Sequence, residues 1–309
     1  MKLGLVFSGG GIRGLSHIGA LTCLIKYGLK PQMISDCSAG SIIAGLYAAG
    51  IAPKDMEMLA LKNIAHIIDL DYKGIFKAIE NLIANKNAEG TLSGFIKGDR
   101  IEKTIDDILN GKKMYEADIF LAIPAVDINR GRTVMFVSRK VPQENEKALY
   151  IDGIKISEAI RASISIPVIF CPKKFGDYSL ELVDGGLKDN LPFEIIMRMG
   201  ADKILCYDLG YNGQLKKGID NIFEIASQSL SIFSYTITSL KKEKYGIDDL
   251  NSFRKRNLRH AGNKKEILIL NPGIYDASIL ETKRAPEMVE RGYEFTKKYA
   301  NDILEFIYG

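Results

Sequence analysis

Cysteine and histidine are scarce in this chain, four and three among 309 residues, and each scarcity removes a class of chemistry. Cys23, Cys37, Cys171 and Cys206 have no paired short spacing. This argues against a disulfide framework or a zinc site and fits buried free thiols in a reducing compartment. Long apolar runs are missing as well. No stretch stays apolar and uncharged for the roughly eighteen residues that a spanning helix needs, so any membrane contact is expected to be peripheral. Met1-Lys2 leads straight into Leu3–Ser8 and then glycines, without the apolar core and small-residue cleavage site of a signal peptide. Charge of one sign is not in excess either: a formal net charge of +4 on this length predicts no nucleic-acid partner and fits a cytoplasmic protein that could touch a membrane surface. Repeats and low-complexity linkers are absent. The 46% hydrophobic and 26% charged content excludes disordered and fibrous classes, and one domain spanning 1–309 is the simplest account.

What is present begins with a short apolar run at 3–8, the glycine loop Gly9-Gly10-Gly11-Ile12-Arg13-Gly14, and a helical pattern carrying Leu15, Ile18, Leu21 and Leu24 on one face. Gly28 and Pro31 end that helix, and Met33-Ile34 opens a second strand. Strand, glycine loop, helix and strand in succession predict an α/β fold with a mainly parallel central sheet. The second strand stops at Asp36-Cys37-Ser38-Ala39-Gly40-Ser41, from which a small-residue helix restarts at once. Polar helical segments over 54–110 are expected to cover the sheet. Two strands over 118–126 and 132–137, a short helix at 157–161 and a strand at 180–183 ending in Asp184-Gly185-Gly186 follow. Asn190 is a candidate cap for a helix running to Gly200. A strand at 203–209, a long helix over 220–246, a basic segment at 251–260, a strand at 265–270 and a terminal amphipathic helix over 284–307 complete the chain.

Two readings of the first forty residues compete. Gly9-x-Gly11-x-x-Gly14 after a strand, with Asp36 ending the next strand, fits a dinucleotide-binding fingerprint in which Asp36 takes the ribose hydroxyls. Alternatively Ser38 is a nucleophile on a sharp strand-to-helix turn, Gly40 keeps the turn small, and the glycine loop presents N–H groups to an oxyanion. The helix launched at Ser38 and the distant Asp184-Gly185-Gly186 turn favour the second reading. A serine nucleophile needs a base within reach. His17 on the first helix reads as an interior or capping residue and His66 as a packed side chain. His260 completes a Ser…Asp…His order, but Arg254, Lys255, Arg256 and Arg259 around it disfavour the imidazolium that a triad must form. Asp184 is then the base, provided that limited solvation raises its proton affinity.

These residues resemble those of the bacterial patatin-like phospholipase family: the glycine loop, Ser38-Ala39-Gly40-Ser41, Asp184-Gly185-Gly186, and linking segments such as Ala162–Pro167, Asp189–Pro192 and Gly200-Ala201-Asp202. The likeness covers about 3–210. It implies a three-layer α/β/α fold, hydrolysis of phospholipids or other lipid esters by a Ser38–Asp184 dyad, and no metal or organic cofactor. It also implies that Gly9, Gly10 and Gly11 form an oxyanion hole, that Arg13 and Gly14 support the loop and attract the lipid phosphate, and that Gly185 and Gly186 shape the dyad turn. Asp36 departs from the family by standing where a glycine belongs. Its charge would oppose the oxyanion unless a neighbour such as Arg13 neutralised it, so a weakly active lipid-binding homologue is a third reading.

Overall fold

Uninterrupted apolar runs build the centre of the sheet. Strand β1 (Leu3–Phe7) and strand β2 (Met33–Asp36) are buried at every position, as is the longer β3 (Phe120–Asp127), which is how a parallel strand covered on both faces reads in sequence. The computed structural model describes residues 1–63, 69–71, 73, 81, 93–142, 146–216, 218–220, 222–247, 266–277 and 281–309. His66, His260, the basic segment 251–260 and much of 64–92 lie outside the described residues.

The remaining strands are β4 (Arg132–Val137), β5 (Ala148–Ile151), β6 (Lys173–Phe175), β7 (Leu180–Asp184), β8 (Lys203–Tyr207) and β9 (Glu266–Leu270). The order across the sheet is β5-β4-β3-β2-β1-β8-β9, with β7 pairing β3 and β6. Pairing is parallel from β3 through β2, β1 and β8 to β9, and antiparallel where β3 meets β4 and β7. β5 and β6 had no counterpart in the sequence reading, because their short half-polar runs carry little periodicity.

Helices α1 (Ser16–Lys26), α2 (Ala39–Ala48), α3 (Pro53–Asn63), α4 (Asp99–Leu109) and α5 (Ile156–Ser163) share one apolar layer, built from residues such as Ile18, Leu21, Ile43, Ile105 and Ile160 against Leu5, Ile34 and Leu121 of the sheet. The other face carries α6 (Phe193–Arg198), whose Phe193 and Ile196 pack on Val6, Cys206 and Ile269. This is the expected three-layer arrangement with a mainly parallel sheet. α7 (Ile222–Tyr245) follows β8, and the expected terminal helix is two, α8 (Ala285–Lys298) and α9 (Ala300–Tyr308), divided at Tyr299.

One feature of the register positions the site. The start of β3 pairs with β2, Ser35 lying opposite Ala122. The far end of β3 pairs with the oppositely directed β7, Asp184 lying opposite Ala125. Strands β2 and β7 therefore meet almost head-on along one side of β3, and their C-terminal ends converge.

Candidate active site

At the end of β2 the chain reverses into α2 through Ser38, held at φ 52° and ψ −129°. A non-glycine residue in this region stores strain, which persists because the surroundings over-determine it. The Ser38 N–H donates to Ser163 Oγ at 3.0 Å. The Ser38 carbonyl accepts from Ser41 Oγ at 2.6 Å and from the Ser41 N–H at 2.9 Å. Gly40 permits the turn: a Cβ there would lie 2.9 Å from the Ser8 carbonyl oxygen. Ser38 is nearly buried, yet it lines both cavities that meet at this point.

Asp184 arrives from the opposite strand. Its Oδ1 accepts the Gly186 N–H at 2.7 Å and faces the Cys37 thiol at 3.6 Å, while Oδ2 is buried without a hydrogen bond of standard geometry. Burial pushes the Asp184 pKa up to about 6, against the Ser38 hydroxyl, the Gly186 N–H and the Cys37 thiol, which favour the charged form. Ser38 and Asp184 border the same cleft with no hydrogen bond of standard geometry between them, and catalytic hydrogen bonds are often loose in unliganded sites. Gly185 is seated against Pro124 of β3, where a Cβ would lie 2.5 Å from the Pro124 carbonyl oxygen. Gly186 lies between Asp184 and Asn190.

The glycine loop is held in place peptide by peptide. His17 Nε2 bonds the Ser8 carbonyl oxygen at 2.9 Å, Ser8 Oγ donates to the Gly9 carbonyl at 3.1 Å, and Arg13 Nε donates to the Gly10 carbonyl at 3.1 Å. Because a peptide is planar and trans, fixing a carbonyl also fixes the direction of the next N–H. The Gly10 and Gly11 N–H groups, the partners of those last two carbonyls, have no protein acceptor among the described residues and sit in a half-exposed part of the loop. The Gly9 N–H is engaged: it donates to Asn190 Oδ1 at 3.0 Å. Of the three N–H groups expected at an oxyanion, the one from Gly9 is thus occupied, and Gly9 leaves room beside Ser38, whose Cβ would be 2.7 Å from a Cβ at that position. Gly14 performs the same service beside Ala39.

Three further expectations change. Arg13 does not neutralise Asp36; it bonds the carbonyls of Gly10 and Ile274, and so braces the loop. Asp36 is wholly buried, accepts the Phe7 N–H through Oδ1 and leaves Oδ2 unpartnered. Burial drives its pKa well above the carboxylate range, outweighing the Phe7 N–H. Desolvation thus disfavours the charged form of Asp36, and the side chain is not presented to a ribose as a dinucleotide site requires. Asn190 caps no helix, α6 beginning later at Phe193 with Pro192 at its cap. The sequence reading gave no role to Asn190, Ser163 or Ser8 at this cleft; Asn190 and Ser163 act through contacts distant in the chain, and Ser8 Oγ also accepts the N–H of the distant Leu209 at 2.7 Å. His17 is interior as expected: it stacks on Phe7 at 4.3 Å, and burial lowers its pKa to about 4.

Beside Ser38 opens a cavity of about 190 Å³ whose wall is almost wholly apolar, formed by Ile43 and Leu46 of α2, Met56 of α3, Ile105 of α4, Ile164 and Phe170. A smaller and more polar cleft of about 110 Å³ is lined by Gly10, Gly11, Ser38, Asp184 and Asn190, together with Ser231 of α7. Arg13, Tyr211 and Ser231 connect that cleft to a wider chamber of about 700 Å³.

The sequence pattern described as Patatin-like phospholipase matches residues 5–197. The chain belongs to the patatin-like phospholipase family. This is a family of lipid acyl hydrolases, and the match contains the patatin-like glycine loop, the serine turn and the Asp184 turn. The chain is 28% identical over 233 residues to the uncharacterized protein YqhO of Bacillus subtilis, an alignment covering 71% of this chain and 76% of that one. It is 27% identical over 208 residues to lysophospholipase NTE1 of Lodderomyces elongisporus, covering 67% of this chain and 12% of that protein. The patatin-like fold extends to human GIVD cytosolic phospholipase A2, with a TM-score of 0.51 and 15% identity, covering 98% of this chain and 58% of that one.

Proposed function

We propose that this protein is a serine acyl-ester hydrolase that acts on phospholipids or related lipid esters, with Ser38 as nucleophile and Asp184 as base. The observation that carries this reading is the strained Ser38 turn, opening on one side to an apolar cavity and on the other to Asp184 and two free loop N–H groups. The acyl chain lies in the apolar cavity, where its burial supplies binding energy. The polar remainder of the lipid projects toward the chamber bordered by Arg13.

Ser38 Oγ attacks the ester carbonyl carbon and its proton passes to Asp184. The carbonyl oxygen becomes an oxyanion between the Gly10 and Gly11 N–H groups, donors that are already oriented and need no reorganisation. Asp184 returns the proton to the departing alcohol and leaves an acyl-serine. Water then loses a proton to Asp184, attacks the acyl carbon, and frees the fatty acid and Ser38. A carboxylate raised by burial toward pH 6 is a stronger base than an exposed aspartate and remains ionised at neutral pH.

Burial works against the Asp36 charge that would oppose the oxyanion, which favours an active hydrolase over a weakly active lipid-binding homologue. The dinucleotide reading loses its acidic residue for the same reason. Treatment with a fluorophosphonate tests the proposal: a single adduct at Ser38 is expected, together with loss of aryl-ester hydrolysis in Ser38→Ala. No adduct, or turnover retained in that variant, would overturn it.

A further inference from the structure

Helix α7 is folded inside out. Among its described side chains the two that are buried are polar, Gln228 and Thr238, whereas a helix on a protein body normally turns its apolar stripe to the core. Ile225, Ile232, Phe233 and Leu240 are 53%, 49%, 56% and 59% exposed, and at helical spacing they fall on one outer face. The opposite side supplies Ser227, Leu230, Ser231 and Ser234 to the cleft containing Ser38 and Asp184. α7 thus borders the mouth of the site with its polar side inward and an apolar side outward.

Two further observations identify what covers that outer side. From Ile225 to Leu240 the sequence has no charged residue, so moving this face out of water desolvates no ion. Two hydroxyls on this face are satisfied within the helix: Ser229 Oγ donates to the Ile225 carbonyl at 2.8 Å and Thr236 Oγ1 to the Ile232 carbonyl at 3.0 Å. Such bonds let these two hydroxyls enter a medium that offers no hydrogen-bond partners without being left unmet. The charges cluster at the ends and hold the helix to the body. Lys241 pairs with Asp189 at 2.7 Å, Lys242 with Asp208 at 3.4 Å and Lys244 with Glu194 at 3.6 Å. No helix among the described residues is long and apolar enough to cross a membrane, so a lipid contact through α7 is one in which the helix lies in the interface plane.

We infer that the outer face of α7 docks on a phospholipid surface and sets the mouth of the catalytic cleft against it. Ile232 and Phe233 enter the boundary between head groups and acyl chains, and a lipid leaving the surface meets the cleft without crossing bulk water. The inference rests on the lipid-hydrolase reading of the same cleft, and its test separates the two. The chain has no tryptophan, so Phe233→Trp places a single reporter on the proposed contact.

With vesicles of phosphatidylcholine and phosphatidylglycerol, emission from Phe233→Trp is expected to shift to the blue. Ile232→Ser/Phe233→Ser should sediment with the vesicles on the order of ten- to a hundredfold more weakly than wild type, from the loss of two partly inserted apolar side chains. Neither residue lines the cleft, so hydrolysis of a monomeric, water-soluble aryl ester should be unchanged. An unshifted emission, or equal sedimentation of the double variant and wild type, overturns the docking while leaving the hydrolase reading intact. Vesicle binding lost in the double variant, alongside no aryl-ester hydrolysis by wild type, retains the docking and removes the hydrolase. If the double substitution instead converts a dimer to a monomer by light scattering and leaves vesicle binding intact, the face belongs to a second copy of this chain and the inference fails.

Discussion

Replacing Asp184 with Asn separates what this carboxyl does for catalysis from what it costs the fold. Asp184 is 6% exposed, and burial raises its pKa from an ordinary 3.8 to about 6. A rise of this size, at about 1.4 kcal/mol for each pH unit, makes the ionised group destabilising by about 3 kcal/mol. The pH dependence follows from the direction of the change. Below pH 3.8 the group is protonated in both the folded and unfolded chain, and no penalty exists. As pH rises from there toward 6, the unfolded chain ionises first, stability falls, and the full penalty is present above the folded-state pKa.

Asp184→Asn is neutral at every pH and can still accept the Gly186 N–H. Its unfolding free energy should match wild type near pH 3.5 and exceed it by about 3 kcal/mol at pH 8. Urea titrations of both proteins at the two pH values measure this difference directly. The same variant should lose about a thousandfold or more in aryl-ester turnover, while wild-type kcat/KM should rise with pH to a plateau with a midpoint near 6. A stability difference that is equal at the two pH values would refute the buried-charge reasoning. A wild-type pH profile flat from 5 to 8 would refute the role of Asp184 as base.

Asn190→Ala removes the acceptor of the Gly9 N–H and should lower kcat about tenfold by loosening the oxyanion loop, with a stability loss of about 1–2 kcal/mol seen in denaturant titration. Asn190→Asp keeps the acceptor but adds a carboxyl beside the Asp184 turn, so its pH–activity midpoint should lie above that of wild type, a displacement that a purely structural role would not produce. Asp36→Asn preserves a neutral acceptor for the Phe7 N–H, and its turnover should remain within about threefold of wild type. A gain of about tenfold, equivalent to 1.4 kcal/mol, would mean that Asp36 is ionised and opposes the serine.

Much of the site is local chemistry and is readable without coordinates. The glycine loop, the small residues after Ser38 and the Asp184-Gly185-Gly186 turn are short segments whose composition restricts the backbone directly. The apolar runs of β1, β2, β3 and β8 announce a buried parallel sheet for the same reason. Other features depend on burial or on partners far along the chain. Asn190 looks like a helix cap because asparagine often is one, yet it takes the N–H of a glycine lying 181 positions away. Asp36 looks like an intruding charge, and only its complete burial shows that the charged form is disfavoured. In α7 the apolar residues have helical spacing whether they face the core or the solvent, so the pattern alone cannot show that the helix is inverted.

A mainly parallel α/β sheet with a patatin-like serine turn follows from the local sequence, because strand, turn and helix propensities act over a few neighbouring residues. Tertiary structure decided that β2 and β7 meet end to end along β3, which brings Ser38 and Asp184 together. It also decided which loop N–H groups remain free and which carboxyls burial pushes toward the neutral form. These depend on strand register and on exclusion of water, both set by segments that approach one another only when the whole sheet has assembled.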